Sequence, residues 1–314
     1  MPPRPRAGAS RSSGSRRAEV PVPSDGRIWK GDRALAYREV GDPHGHVVLH
    51  NHGGPSSRLE VDLFDSAARA KGLRFIGIDR PGIGESDSQS GRTFRGWAED
   101  LVAMADSLGA HRFAVLGWSE GGPWALAGAA YLDPDRLVHV STIGGGSYGT
   151  FGPNWAARYL NRADAIGGSL AVHFRPGFRL MYALLGLSAT RFGGSYRRAV
   201  LKSVSAADRT VLADDAVMTR FLATSRECFR QGSGGLVVDA TLLYEAWPFD
   251  VRDVTRPVHF WQGTDDTLVP EVINRTVADA MPGAVWHPVE GGGHFIAVSH
   301  ADEILALVAD AFSQ

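Results

Sequence analysis

Two serines in the chain lie in the spacing Gly-x-Ser-x-Gly, which can hold a hydroxyl nucleophile on a sharp turn. They are Gly117-Trp118-Ser119-Glu120-Gly121 and Gly145-Gly146-Ser147-Tyr148-Gly149. A pattern that occurs twice in a glycine-rich chain discriminates little by itself, so the flanking residues must decide. A nucleophile elbow needs a strand before the serine and a helix after it. Phe113 to Trp118 is an apolar, strand-like run, and Pro123 to Leu132 (PWALAGAAYL) is helix-forming. Ser147 also follows a strand-like run, but Gly149-Thr-Phe-Gly-Pro-Asn154 cannot open a regular helix. Ser119 is therefore the candidate nucleophile.

An alcohol attacks poorly until a base takes its proton, and the base must itself be oriented. On a strand–turn–helix elbow the acid and then the histidine come later in the chain, each after a further strand. Of the eleven histidines, His294 is the one in a Gly-rich turn (Gly291-Gly292-Gly293-His294-Phe295) after the last strand-like run. Its neighbour in sequence, His300, begins a helical stretch. The acid lies in Gly263-Thr264-Asp265-Asp266-Thr267, where spacing alone leaves Asp265 and Asp266 both open. Charge developing on an attacked carbonyl needs preorganised donors. His52-Gly53-Gly54-Pro55 follows another strand-like run, which predicts the backbone N–H groups of Gly54 and Glu120 as that pair. Gly53, Trp118 and Phe295 are expected to border the substrate pocket.

These groups need a scaffold that brings several strand ends together. Arg33 to Val40 alternates apolar and polar residues, as a half-buried edge strand does. Short apolar runs at His46–His50, Arg74–Ile78, Phe113–Leu116, Leu137–Ile143, Val258–Trp261 and Val285–Val289 suit strands covered on both faces. Helical stretches fall at 59–70, 95–108, 123–132, 269–280 and 300–312, so the order predicts an α/β architecture: a mostly parallel sheet with helices on both faces. Between about Ser147 and Pro248 lies a segment with helical pieces, including 210–228, and many aromatics, among them Trp155, Tyr159, Phe178, Tyr182 and Tyr244. Structureless loops that long are rare, which predicts a helical lid. The expected organisation is a disordered Pro/Ser/Arg-rich tail at 1–24, a core at 25–146 and 249–314, and a lid at 147–248.

Taken together, His52-Gly-Gly-Pro55, Asp79-Arg-Pro-Gly-Ile-Gly-Glu-Ser-Asp87, Gly117-Trp-Ser-Glu-Gly-Gly122, Gly263-Thr-Asp-Asp266 with Val269-Pro270, and Gly292-Gly-His294 resemble the α/β-hydrolase superfamily in its lidded branch. The resemblance spans about residues 26–314. It implies an eight-stranded sheet, selects Asp266 as the acid, and makes the Asp79–Asp87 segment a loop near the site. There is similarity to proline iminopeptidase-like and esterase-like members. The former typically carry another Gly where Ser56 stands and an elbow of the form Gly-Gly-Ser-Trp-Gly.

An aromatic-rich lid favours an apolar acyl or alcohol group, so the leading expectation is carboxylesterase action on a small ester. Alternatives on the same triad are aminopeptidase or amidase chemistry and C–C bond hydrolysis, and a ligand-binding protein on this fold is the non-enzyme reading. His50-Asn51-His52 lacks the nearby ligands of a metallohydrolase, so no metal and no cofactor are expected. Gly144 to Gly149 fits a dinucleotide fingerprint but opens the lid rather than a helix after a first strand. With a net charge of −1 and pI ≈ 6.8, the 314-residue chain is expected to bind neither nucleic acid nor membranes. The single cysteine, Cys228, fits a reducing, cytoplasmic setting. The partner expected is a small-molecule substrate. Oligomeric state is not written in the sequence.

Overall fold

Strand β5 (Phe113–Trp118) is buried along its whole length, and its alternate residues feed two different cores. Phe113 and Val115 pack with one cluster, and Ala114, Leu116 and Trp118 with the other. That is the period-two behaviour of a strand covered on both faces. In the computed structural model, which describes residues 23–150 and 162–313, β5 lies inside an eight-stranded sheet of order β1-β2-β4-β3-β5-β6-β7-β8. The strands are β1 (Ser24–Lys30), β2 (Arg33–Gly41), β3 (His46–Asn51), β4 (Leu73–Ile78), β5, β6 (Leu137–Ile143), β7 (Val258–Gly263) and β8 (Ala284–Val289). Only the β1–β2 and β2–β4 pairings are antiparallel.

Helices α2 (Phe94–Ser107), α3 (Gly122–Tyr131) and α10 (Glu271–Ala280) cover one face. Helices α1 (Asp65–Ala70) and α12 (Ala301–Ala311) cover the other, and a short α11 (Ile296–Ser299) precedes α12. Between β6 and β7 the described residues form six helices: α4 (Arg162–His173), α5 (Arg175–Arg191), α6 (Gly193–Ser203), α7 (Ala206–Val211), α8 (Asp215–Cys228) and α9 (Gly234–Tyr244). Phe178, Tyr182, Tyr196 and Phe229 form this insertion's own core together with Leu236 and Ala240. Trp155, Tyr159 and most of the expected tail lie outside the described residues.

Three expectations need correction. Arg33–Gly41 is not an edge strand, because β1 pairs outside it. β1 was hidden because Ile28 is its one buried residue and the rest is polar or exposed. The helix expected over 59–70 divides into a 3-10 turn at Arg58–Leu63, capped by the Ser57 hydroxyl, and α1. The helix expected over 210–228 breaks at Asp214, whose side chain accepts the Ala216 and Val217 N–H groups and starts α8 afresh.

Candidate active site

The loops after β3, β5, β6, β7 and β8 meet at the carboxyl end of the sheet, where ligand sites of such sheets form. Ser119 follows β5 directly and has φ +54°, the one described non-glycine residue in the left-handed region. That conformation is strained for an L-residue and persists only where its surroundings enforce it. The enforcement is visible in the glycines. A Cβ on Gly121 would overlap the Asn51 carbonyl oxygen, and one on Gly117 would overlap that of Gly121. A Cβ on Gly122 would crowd the Cα of Gly145. The Gly146 N–H donates to the Ser119 carbonyl at 2.9 Å, tying the elbow to the end of β6.

His294 and Asp266 come together from the ends of β8 and β7. The His294 Nδ1 lies 2.7 Å from Asp266 Oδ2, and both residues are buried. The other carboxylate oxygen of Asp266 accepts the Leu268 and Val269 N–H groups at 2.8 and 2.9 Å, so the acid is fixed by its own loop. Asp265 is exposed at the rim, its backbone N–H on the Gly292 carbonyl. Burial pulls the His294 imidazole down, but Asp266 beside it outweighs burial, and the ring sits above its ordinary pKa. The Trp118 indole N–H donates to the His294 carbonyl at 3.0 Å, and Gly144, at φ +49°, packs directly against the His294–Asp266 pair. Trp118, next to Ser119 in sequence, thus holds the histidine, and the loop whose Gly146 is bonded to the Ser119 carbonyl packs Gly144 against the histidine and the acid.

Gly53 borders Ser119: a Cβ added to it would lie 3.2 Å from that of Ser119. Its N–H is taken by Glu60, whose two carboxylate oxygens stand 3.1 and 3.2 Å away and which also holds His50 Nε2 at 2.7 Å. The next N–H, that of Gly54, has no acceptor among the described residues. Glu120 places its carboxylate against Gly54. Trp118 and Phe295 are packed beneath the histidine, edge to face with centroids 5.2 Å apart, and Phe221 of α8 stacks edge-on against Phe295. Ser147 is fully buried with its hydroxyl on Asn274, 3.3 Å away. His50 and His52 face different partners. His52 is held neutral by burial and by neighbouring Arg80, with Nδ1 on the Gly53 carbonyl.

Several supporting residues escaped the sequence. Asp208 reaches from α7 to accept the Phe295 N–H at 2.7 Å, next to His294. Its capping-box partner Ser205 marks the turn in sequence, though not the contact. Arg80 donates to the His52 carbonyl at 2.7 Å and pairs with Asp239 of α9, which also holds Arg92. Asp79, pushed up to about 6 by burial despite Arg58, anchors the Asp79–Asp87 loop by accepting Arg58 and Glu85 N–H groups. Asp239 and Glu60 carry no local signal, because their partners lie far away in sequence or on another element.

A proline iminopeptidase of Lacticaseibacillus rhamnosus (strain Lc 705) is 26 % identical over 299 residues, covering 86 % of this chain and 91 % of the relative. A 2-hydroxymuconate semialdehyde hydrolase of Pseudomonas putida is 25 % identical over 274 residues, covering 84 % and 86 %. The crystal structure of a bromoperoxidase from Bacillus anthracis superposes with TM-score 0.67 at 20 % identity, over 93 % of this chain and all (100 %) of that one. The model of the alpha/beta hydrolase family matches residues 47–307, and the chain belongs to that family.

Proposed function

We propose that the protein is a serine hydrolase acting on small carboxylic esters, with Ser119 as nucleophile, His294 as base and Asp266 as orienting acid. The observation that carries this reading is Ser119 itself, forced into a left-handed conformation between β5 and α3 and tied to the loop that touches His294. With Nδ1–H donating to Asp266, the Nε2 of His294 is the acceptor that takes the Ser119 proton as Oγ attacks the acyl carbon. The oxyanion is met by the N–H groups of Gly54 and Glu120. His294 returns the proton to the departing alcohol, and water, activated by the same imidazole, releases the acid and restores Ser119. In this reading residues 147–248 are a lid, and the aromatics not used in its own core suit an apolar acyl or alcohol group.

A second reading is favoured by Glu120, whose carboxylate lies against Gly54. A negative charge there would stabilise an ammonium beside the scissile carbonyl, as in removal of an amino-terminal residue. The matched relative named proline iminopeptidase points the same way.

Labelling with a fluorophosphonate probe tests the nucleophile. Wild type and Ser147→Ala are expected to label and Ser119→Ala to remain unlabelled, with turnover of p-nitrophenyl esters falling by about 10³-fold or more. Labelling that survives Ser119→Ala overturns the assignment, and an unlabelled wild type favours a binding protein. Glu120→Gln then separates the readings: it weakens cleavage of aminoacyl anilides selectively in the second and leaves neutral esters as the better substrates in the first.

A further inference from the structure

Helix α5 is apolar on two opposite sides. Phe178, Tyr182, Gly186 and Ala189 face the insertion's core. Leu180, Leu184 and Leu187 lie on the far side, within an arc of about 60° at 100° per residue. With Phe174 and Phe192 at the two ends of the helix, they are between 48 % and 61 % exposed. Seven of the eleven large apolar residues exposed among the described residues fall between Ile166 and Phe192. Scattered exposed leucines need no explanation, but a contiguous stripe does.

The charge around the stripe is one-sided. Residues 162–203 contain seven arginines and lysines and one acid, Asp164, in a chain whose net charge is −1. Arg175 is paired with Glu245 at 2.7 Å and Arg197 approaches Asp215 at 3.7 Å. Arg179, Arg191, Arg198 and Lys202 have no carboxylate in ion-pair range among the described residues. Arg191 lies on the leucine line itself, four residues beyond Leu187, and Arg179 flanks it. An apolar stripe edged by cations matches a surface that offers hydrocarbon below a layer of negative charge. A second copy applying the same face would set arginine against arginine, so it is the poorer occupant.

We propose that the α4–α6 face of the insertion docks on anionic lipid bilayers, with Leu180, Leu184 and Leu187 entering the headgroup layer and Arg179 and Arg191 pairing with lipid phosphates. The near-neutral chain total conceals this face because the remainder of the chain is correspondingly acidic. Docking needs no catalysis, so it is tested on full-length Ser119→Ala protein, whatever reaction the site performs.

Co-sedimentation is measured with vesicles of phosphatidylcholine containing about one-third phosphatidylglycerol, and with phosphatidylcholine alone. The protein is expected to pellet with the first and not the second, and to be released by high salt, since exposed charge pairs are screened. The triple variant Leu180→Glu/Leu184→Glu/Leu187→Glu, its fold checked by thermal unfolding, is expected to stay in the supernatant. Arg179→Glu/Arg191→Glu is expected to weaken binding by about tenfold or more. The proposal is overturned if the Ser119→Ala protein does not pellet, or if the leucine variant made in it pellets equally well. It is also overturned if the protein is dimeric without lipid and the leucine variant makes it monomeric, since the stripe then serves a second copy.

Discussion

Around Ser119 a methyl group cannot be added to Gly117 or Gly121 without overlapping backbone, whereas along α5 three leucines are 48–61 % exposed. Both regions belong to one chain, yet they answer to different constraints. The elbow is set by backbone meeting backbone, and every neighbour is itself a strand end or a loop held by hydrogen bonds. The outer insertion is set mainly by an inner apolar face, with a few exposed ion pairs beside it, and its outer face presents an apolar stripe. Between these extremes stand α8 and α9, fastened to the sheet end by polar groups: Thr224 on Ser56 and Ser57, Glu227 on Arg58, Asp239 on Arg80 and Arg92. The insertion is therefore two layers, one bolted and one presented, and geometric tolerance rises from the sheet end outward.

The sharpest break of this gradient comes at its rigid end. Asp266→Asn leaves the shape of the loop but removes the charge that fixes the Nδ1–H tautomer of His294, and ester turnover is expected to fall on the order of 10³- to 10⁴-fold. The pH profile gives a second readout. In the proposed mechanism His294 acts as base when neutral, so activity should be present above its pKa and be lost as pH falls through it. In wild type that limb lies above the ordinary histidine value because Asp266 outweighs burial. In the variant burial acts with its main opponent gone, so the residual activity should hold to lower pH. Equal limbs in the two proteins would show that Asp266 does not set the base.

Legibility in the sequence follows the same gradient. The sharp turn at Ser119, the place of His294 after β8 and the central strands could be read because the constraint there is local: glycine where backbones touch, apolar runs where both faces are covered. β1 could not, since a mostly exposed edge strand with Ile28 as its one buried residue has no pattern to display. Asp266 and Asp265 were indistinguishable by spacing, because the difference is direction: one carboxylate turns inward to His294 and the other faces water. Trp118 and Phe295 were expected at the pocket, and aromatic character alone does not tell a wall from the packing under it. The Arg80–Asp239–Arg92 cluster joins residues about a hundred and fifty positions apart, and its partners exist only once the insertion has folded back.

That cluster offers the second test, on the bolted layer. Asp239 is fully buried between Arg80 and Arg92, so Asp239→Ala strands cationic groups that burial already disfavours. Removing one member of a buried ion cluster costs about 3–5 kcal/mol, mostly as the penalty on the charges left behind. Urea unfolding should show this loss. Because Arg80 also holds the His52 carbonyl, ester turnover should fall with it. A loss of stability no greater than that of an exposed ion pair would mean that α9 is not fastened by this cluster, and the division of the insertion into two layers would fail.

The smallest effect belongs to the presented layer, and it is informative because it is small. Leu184 lies on the side of α5 away from Phe178 and Tyr182 and is 58 % exposed, so Leu184→Glu removes little buried area. Glutamate is also nearly as good a helix former as leucine. The surrounding charge is basic, so a carboxylate there meets attraction rather than repulsion. The unfolding free energy should change by no more than about 0.5 kcal/mol. The same substitution two positions earlier, Tyr182→Glu, places a carboxylate in the insertion's core and should cost several times as much, about 3 kcal/mol or more. If Leu184→Glu proved equally costly in the isolated protein, the stripe would already be covered within the folded chain, and the gradient from rigid elbow to open face would end one layer short of the surface.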